Sequence, residues 1–435
     1  MYVLAGFIKK YNFTLLIYPF LLYNRSMKLQ KIVFASLMVA ALGGLAGCHK
    51  NDKIQTISET ELFTIPYGKF EEQLNVADLN KVGNVRFGIA MQDGFFYIVN
   101  GDSKKIMELN SYGDLLTLFY NEDSEIAKLL ENSRRPDMSN HHPVSYPFDY
   151  PGPIAVDSNK NIYAVCSIPA DRHEQSDDGD MLYGQTVLRF SRADGGVEFI
   201  GQQGPGGTPF PFIKNVYTTV KDELVVICSS KNGMIAYWFG ADGFLKYMVP
   251  VLTENVPRIE GIDDNSDVYY TIQNVIPDPS SYRLYVQVDY FSSYIDEDSR
   301  VQAGIDYIET LLYPVDIEEG NCVFKDPVSV PPYEKSVVAD YSRLTYEIPY
   351  NFLGVTASGW KFFILKTDDG FNIQMLQEES QKMIRRQFKA NHHNILFDTM
   401  ALSKDGILIG LYLEKNQARV VWYRTDKLID AVLNK

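Results

Sequence analysis

The sequence predicts an all-β chain closed into a six-bladed β-propeller, and three observations carry that prediction. The first is the stretch Ile89 to Tyr120, which reads as a meander of short strands separated by tight turns. Ile89-Ala90-Met91 stops at Asp93-Gly94, and the apolar run Phe95 to Val99 stops at Asn100-Gly101. Lys105 to Leu109 stops at Tyr112-Gly113-Asp114, and Leu115 to Tyr120 completes the unit. Asp-Gly and Asn-Gly supply the positive φ that two-residue hairpin turns need. The second observation is that similar units recur at roughly 60-residue spacing, as propeller blades with insertions do. The third is a lone strand, Glu61 to Tyr67, ahead of the first complete unit. Composition agrees: aromatics make up 13% of the chain, with 29 Tyr and 25 Phe against 3 Trp. Such side chains suit a pleated, half-buried surface.

The units follow in order. Unit two has Pro153 to Asp157, Ile162 to Cys166, Thr186 to Phe190 and Val197 to Gly201, interrupted by the acidic loop Asp171 to Asp180. Unit three has Val216 to Val220, Leu224 to Cys228, Met234 to Phe239 and Phe244 to Val249. Unit four is the least regular, with Asp267 to Ile276, Tyr282 to Tyr290, a polar insertion from Phe291 to Gln302, then Thr310 to Val315 and Cys322 to Val328. Room for a further half-blade here makes seven blades the alternative count. Unit five runs from Phe352 to Phe388, and unit six, from Thr399 to Arg424, has only three strands. Glu61 to Tyr67 would supply the missing fourth and close the ring, removing the exposed sheet edge. A pair of β-sandwiches explains neither the shared order of turns nor the leading odd strand. Asn121 to Met138 reads as an insertion with a short helix.

The N-terminal region reads as a targeting segment. Met27 to Lys31 is a short basic start, Ile32 to Leu45 is an apolar run of signal-peptide length, and Leu45-Ala46-Gly47-Cys48 follows. The expected organisation is 1–26 as a mis-assigned gene start, 27–47 as a signal peptide and 48–60 as a polar tether. The propeller then occupies 61–430 and a tail 431–435. Residues 1–47 hold five bases (Lys9, Lys10, Arg25, Lys28, Lys31) and no acids. Without them, 36 of the 41 bases face 55 acids, so the net charge moves from −14 to −19. No basic stripe is present, which argues against nucleic acid. If Cys48 carries the anchor, Cys166, Cys228 and Cys322 remain. Cys166 and Cys228 occupy matching places in neighbouring units, as buried thiols or as a disulfide pair.

The turn order, and second strands with Tyr or Phe among apolar residues, are similar to NHL-type six-bladed propellers. Leu45-Ala46-Gly47-Cys48 resembles the lipobox of bacterial lipoproteins, in which the Cys becomes the lipidated first residue. Together with the run from Gly201 to Pro211 and Val421-Trp422-Tyr423-Arg424-Thr425-Asp426, it resembles a family of uncharacterised spirochaetal lipoproteins. The resemblance implies a propeller anchored in a bacterial cell envelope, in the inner or outer membrane, facing the periplasm or the exterior. It implies no activity and no catalytic residues.

Candidate sites come from the residues themselves. The loop Gly201 to Pro211 offers glycine amides to an anion or, as a tighter reading, fixes a crossing between units, with Phe210 and Phe212 plugging the space beneath. Gly204, Gly206, Gly207, Phe210 and Phe212 are therefore the interaction candidates. The pairs His141-His142 and His392-His393 each precede a unit's first strand, so His142 and His393 are candidate zinc ligands on one rim. The acidic loops at 171–180, 261–267 and 296–298 offer oxygens to calcium, and no motif requires a cofactor. No nucleophile elbow or dinucleotide fingerprint is visible. These features predict an anchored propeller that binds a protein or peptide partner, or serves as an envelope scaffold. The alternative is a metal-dependent hydrolase or lyase with its site at the channel mouth.

Overall fold

The computed structural model describes residues 54–76, 87–132, 142–259, 268–295, 302–318, 321–339 and 342–433. Six mainly antiparallel sheets are arranged in a ring in chain order, each inner strand neighbouring the preceding and following sheets. The chain is a six-bladed β-propeller. The inner strands are Phe87–Gln92, Ile154–Val156, Ile213–Thr218, Val268–Pro277, Asn351–Val355 and Ile395–Leu402 for blades 1 to 6. The core lies between blades. For example, Val99, Ile106 and Phe119 of blade 1 pack with Ile162, Leu188 and Phe190 of blade 2.

Ring closure follows from the odd leading strand. Thr60–Pro66 is the outermost strand of blade 6, antiparallel to Gln417–Tyr423, with Thr60 opposite Trp422 and Pro66 opposite Gln417. Alternation along this strand buries Phe63 and Ile65 and exposes the residues between. Arg419 holds the seam, donating to Glu59 at 2.7 Å and Glu414 at 2.8 Å. A second short strand, Gln55–Ile57, pairs in parallel with Lys382–Lys389 of blade 5. This segment falls within the stretch expected to be a tether; its pairing gives it a fixed place on the ring.

Blade 1 shows how local sequence sets the turns. Asp93 and Gly94 have φ of 51° and 75°, so the first hairpin is built as its sequence predicts. The Asn100-Gly101 turn is different. Asn100 accepts from the Asn75 amide at 2.9 Å and returns a bond to the Asn75 carbonyl at 3.1 Å. Gly101–Ser103 then forms a 3-10 turn, and the left-handed residue is Lys104, φ 50°. A long-range partner for Asn100 thus overrides the short-range turn signal.

The blade 4 insertion lengthens a hairpin rather than adding a blade: Arg283–Ile295 and Gln302–Glu318 are its second and third strands. A separate hairpin, Tyr333–Ala339 and Ser342–Ile348, leads into blade 5. Helices occupy Glu125–Asn132 and Thr425–Leu433. The second lies where sequence reading places the end of the propeller and the tail. No helix of the described residues is long and apolar enough to cross a membrane. Cys166 and Cys228 are buried thiols in the cores on either side of blade 2, and no disulfide joins them.

Candidate functional site: the central channel and its decorated face

Blade topology sorts the connections. In an up-and-down blade, the first strand leaves one face of the ring and the second returns to it. All links from second to third strand, and from each blade to the next inner strand, therefore open on the same face. The 174–183 hairpin, the long blade 4 hairpin, the 333–348 hairpin, the 201–211 loop and the 389–395 loop are all of this kind. The opposite face carries the short turns between first and second strands, such as 92–95, 218–224 and 402–408.

On the turn face a repeated device ties off the inner strands. A side-chain oxygen at the strand end accepts the backbone N–H four residues later: Asp157 from Asn161 at 2.8 Å, Thr219 from Glu223 at 3.2 Å, Thr356 from Trp360 at 3.0 Å and Ser403 from Ile407 at 2.9 Å. Blade 4 uses Asp278, which accepts from Ser280 at 2.7 Å and Ser281 at 3.1 Å. These Asx and Ser/Thr turns satisfy amides that a tight reversal would leave unpaired. The spacing of polar residue to buried second strand was available in the sequence, but no single copy stands out from ordinary turn chemistry.

The turns are then bonded to one another. The Ser158 hydroxyl donates to Asp222 at 2.7 Å, the Val220 amide to Pro279 at 2.8 Å, the Ser280 hydroxyl to Ala357 at 3.0 Å and the Ala357 amide to Lys404 at 2.8 Å. Lys404, on blade 6, donates from Nζ to the Thr219 carbonyl of blade 3 at 2.9 Å. Blades 3 and 6 are opposite in a ring of six, so this side chain crosses the channel axis. Burial lowers the Lys404 pKa, while Asp222, Asp157, Asp405 and Asp93 act in the other direction. The channel is thus bridged at the turn face.

Toward the decorated face the channel holds about 510 Å3. Phe212, Tyr150 and Lys214 line it at that end. Lys214 donates to the Gln273 carbonyl at 3.0 Å, and burial lowers its pKa as well. Neither lysine was a candidate from the sequence, because nothing local distinguishes a lysine that points into a channel.

The sequence candidates are distributed as follows. Gly204, Gly206 and Gly207 form a compact crossing on blade 2. Gly204 and Pro205 pair back onto Val197–Gly201, the amides of Gln202, Gly207 and Thr208 are bonded within the loop, and that of Gly206 donates to the Phe199 carbonyl. A Cβ on Gly204, at φ 124°, would lie 3.0 Å from the Gly243 carbonyl oxygen of blade 3. Phe210 is fully buried against Tyr237 and Phe239, with ring centroids 5.2 and 6.2 Å away. Phe212 is 56% exposed at the channel mouth, so it does not share the plug. Phe210→Ala is accordingly expected to cost about 3–5 kcal/mol, the range for emptying a buried aromatic site. Phe212→Ala is expected to stay within about 0.5 kcal/mol. Equilibrium denaturation of the two variants checks the contrast.

His142 begins the fifth strand of blade 1, at its outer edge, and His393 lies in the exposed loop before blade 6. The neighbouring His392 ring nitrogen bonds the Gly370 carbonyl at 3.0 Å and packs edge-on against Phe371. Among the described residues, no three His, Cys, Asp or Glu side chains converge as a metal-binding group. Asp178 and Asp180 of the first acidic loop are engaged with Ser176 and Lys231. The loops at 261–267 and 296–298, and Cys48 and His141, lie outside the described residues.

Comparison with known proteins finds only distant structural likenesses. No family model matches the chain, and no curated protein matches it in sequence. Similar solved structures include a gluconolactonase from Xanthomonas campestris, with TM-score 0.37 and 10% identity over 83% of this chain and 98% of that one. A calcium-binding protein, regucalcin, from Agrobacterium tumefaciens has TM-score 0.35 and 9% identity over 84% and 95%. A streptogramin B lyase has TM-score 0.32 and 12% identity over 78% and 93%. These neighbours are β-propeller proteins. At such similarity no residue role transfers from them to this chain.

Proposed function

We propose that this chain is a lipid-anchored propeller of a bacterial cell envelope that binds a protein or peptide partner through its decorated face. The observation that carries the reading is the concentration of long connections on one face around the open channel mouth. The 333–348 hairpin adds an apolar side to that face, since Val337, Leu344 and Tyr346 are all exposed and 337 pairs with 344 across the hairpin. Rigid scaffolds that present loops and exposed aromatic groups suit recognition. The anchor rests on the lipobox ending at Cys48, and the narrower likeness to spirochaetal lipoproteins rests on the same motifs. The alternative, a metal-dependent hydrolase or lyase with its site at the channel mouth, requires a bound ion, which separates it from the binding reading.

Three measurements test this. A photo-crosslinking side chain at Tyr346 is expected to capture a defined partner in cells, whereas one at Asp194, in an exposed turn on the other face, is not. Equal capture from both positions, or none from the first, would sink the partner reading. Purified protein holding a stoichiometric, tightly bound ion would favour the metal-dependent enzyme instead. Separately, Cys48→Ser is expected to move the protein from the membrane to the soluble fraction. Continued membrane association of the variant would remove the lipid anchor from this account.

A further inference from the structure

The channel differs in charge from the rest of the protein. The chain carries 55 acidic against 41 basic residues, yet the ionisable side chains that line the channel among the described residues, apart from the phenols of Tyr150 and Tyr217, are Lys214 and Lys404. Lys214 lies toward the mouth and Lys404 forms the floor. Inner strands are the terminal strands of their sheets, so the N–H and C=O groups of their free edges face the channel. An ammonium has three donors, and Lys404 directs one at the Thr219 carbonyl. Among the described residues no second acceptor engages it, which leaves the other donors for a ligand. Asp93, Asp157, Asp222 and Asp405 act on this ammonium from the turn face. Asp222 is itself occupied by Ser158 and Asn159, and Asp157 by Asn161.

We propose that the central channel is a binding site for a small oxyanion, held against the Lys404 ammonium and the free backbone edges of the inner strands. Lys214 raises the local concentration of anions at the mouth, which an otherwise acidic surface would repel. The channel volume, about 510 Å3, sets the ligand at small-molecule size. Inside a narrow, low-dielectric channel the charge of a single lysine acts more strongly than on the surface. The buried ammonium gains from an anion the stabilisation that burial took from it. This site is independent of the partner surface on the hairpins, so either can fail without the other.

The test is titration calorimetry of the full chain with three probes: malonate, inorganic phosphate, and the neutral malonamide of matched size. One anion or both is expected to bind with 1:1 stoichiometry and with affinity that falls as sodium chloride rises. The tighter of the two assigns the ligand as carboxylate or phosphate. Malonamide is expected not to bind. Lys404→Met is expected to weaken anion binding on the order of tenfold or more, and Lys404→Arg to retain most of it. Loss of a floor contact could also perturb folding, so the wild-type chain supplies an independent reading. Acetylation of Lys404, followed by peptide mass spectrometry, is expected to slow when the bound anion is present. Equal binding of malonamide, unchanged affinity in Lys404→Met, or Lys404 acetylation indifferent to the anion would each overturn the proposal.

Discussion

Deletion of residues 54–67 is expected to open the ring and to make the protein self-associate beyond its normal assembly state. The segment supplies the outermost strand of blade 6, and its loss uncovers the whole backbone edge of Gln417–Tyr423. Such an edge is a template for pairing with a second chain. The deletion also removes the burial of Phe63 and Ile65, each worth about 1.5–3 kcal/mol. Phe63 packs edge-on against Phe96 of blade 1 at 5.5 Å, so the contact between blades 6 and 1 weakens with it. Arg419 is left without Glu59, though it keeps Glu414. Size-exclusion chromatography with light scattering checks the outcome. An unchanged mass in solution with an unchanged unfolding midpoint would show that the ring does not depend on this closure.

The second large effect is expected at Glu223, where blade 3 is joined to blade 4. Its carboxylate is nearly inaccessible and accepts from Lys246 Nζ at 2.6 Å, Trp238 Nε1 at 3.0 Å and the Tyr282 hydroxyl of the blade 4 turn at 2.8 Å. The Trp238 and Tyr282 rings also meet edge-on at 5.4 Å. Burial alone would raise the Glu223 pKa, but the three donors outweigh it and hold the carboxyl below its ordinary value of 4.5. Glu223→Ala leaves the Trp238 donor buried without its acceptor and is expected to destabilise the ring by about 2–3 kcal/mol. A depressed carboxyl pKa means that the unfolded chain binds more protons near pH 4.5 than the folded one. The contribution is therefore present above 4.5 and lost as the pH falls through the lower folded value. Denaturation at pH 7 and again in acid should show the gap between wild type and variant narrowing on acidification. A gap independent of pH would mean that packing, not the charge network, holds this junction.

Much of the architecture was legible because it is written in short-range chemistry. Asp93-Gly94 demands its hairpin, the alternation in Phe63 and Ile65 marks a strand with one buried side, and an unpaired strand at one end answers a three-stranded unit at the other. The Asn100-Gly101 turn was misleading because its outcome depends on Asn75, far away in the chain. The helix Thr425–Leu433 was masked by the strand that precedes it. The hydroxyl of Thr425, fully buried, donates to the Gly406 carbonyl, a contact that exists only once blade 6 has folded.

The candidate site was less legible. The glycine loop is conspicuous in sequence because glycine is demanded by local backbone geometry, at Gly204 above all. Histidine is conspicuous by type, yet His142 sits at a blade edge and His393 in an exposed loop. Lys214 and Lys404 carry no local signature at all. Their significance arises from which inner strand they occupy and from the opposite blade that each ring position faces.

The sequence by itself determined the repeat, the strand order, the closing strand and the number of blades within one, since each depends on residues a few positions apart. Tertiary structure alone decided that every long insertion shares one face, that Lys404 crosses the axis to Thr219, and that a protein rich in carboxylates keeps a channel lined by lysine. Those are properties of closure. They bring together residues far apart in the chain, 185 positions in the Lys404–Thr219 bond and 360 in the Arg419–Glu59 bond, and no local pattern records a distance across a ring.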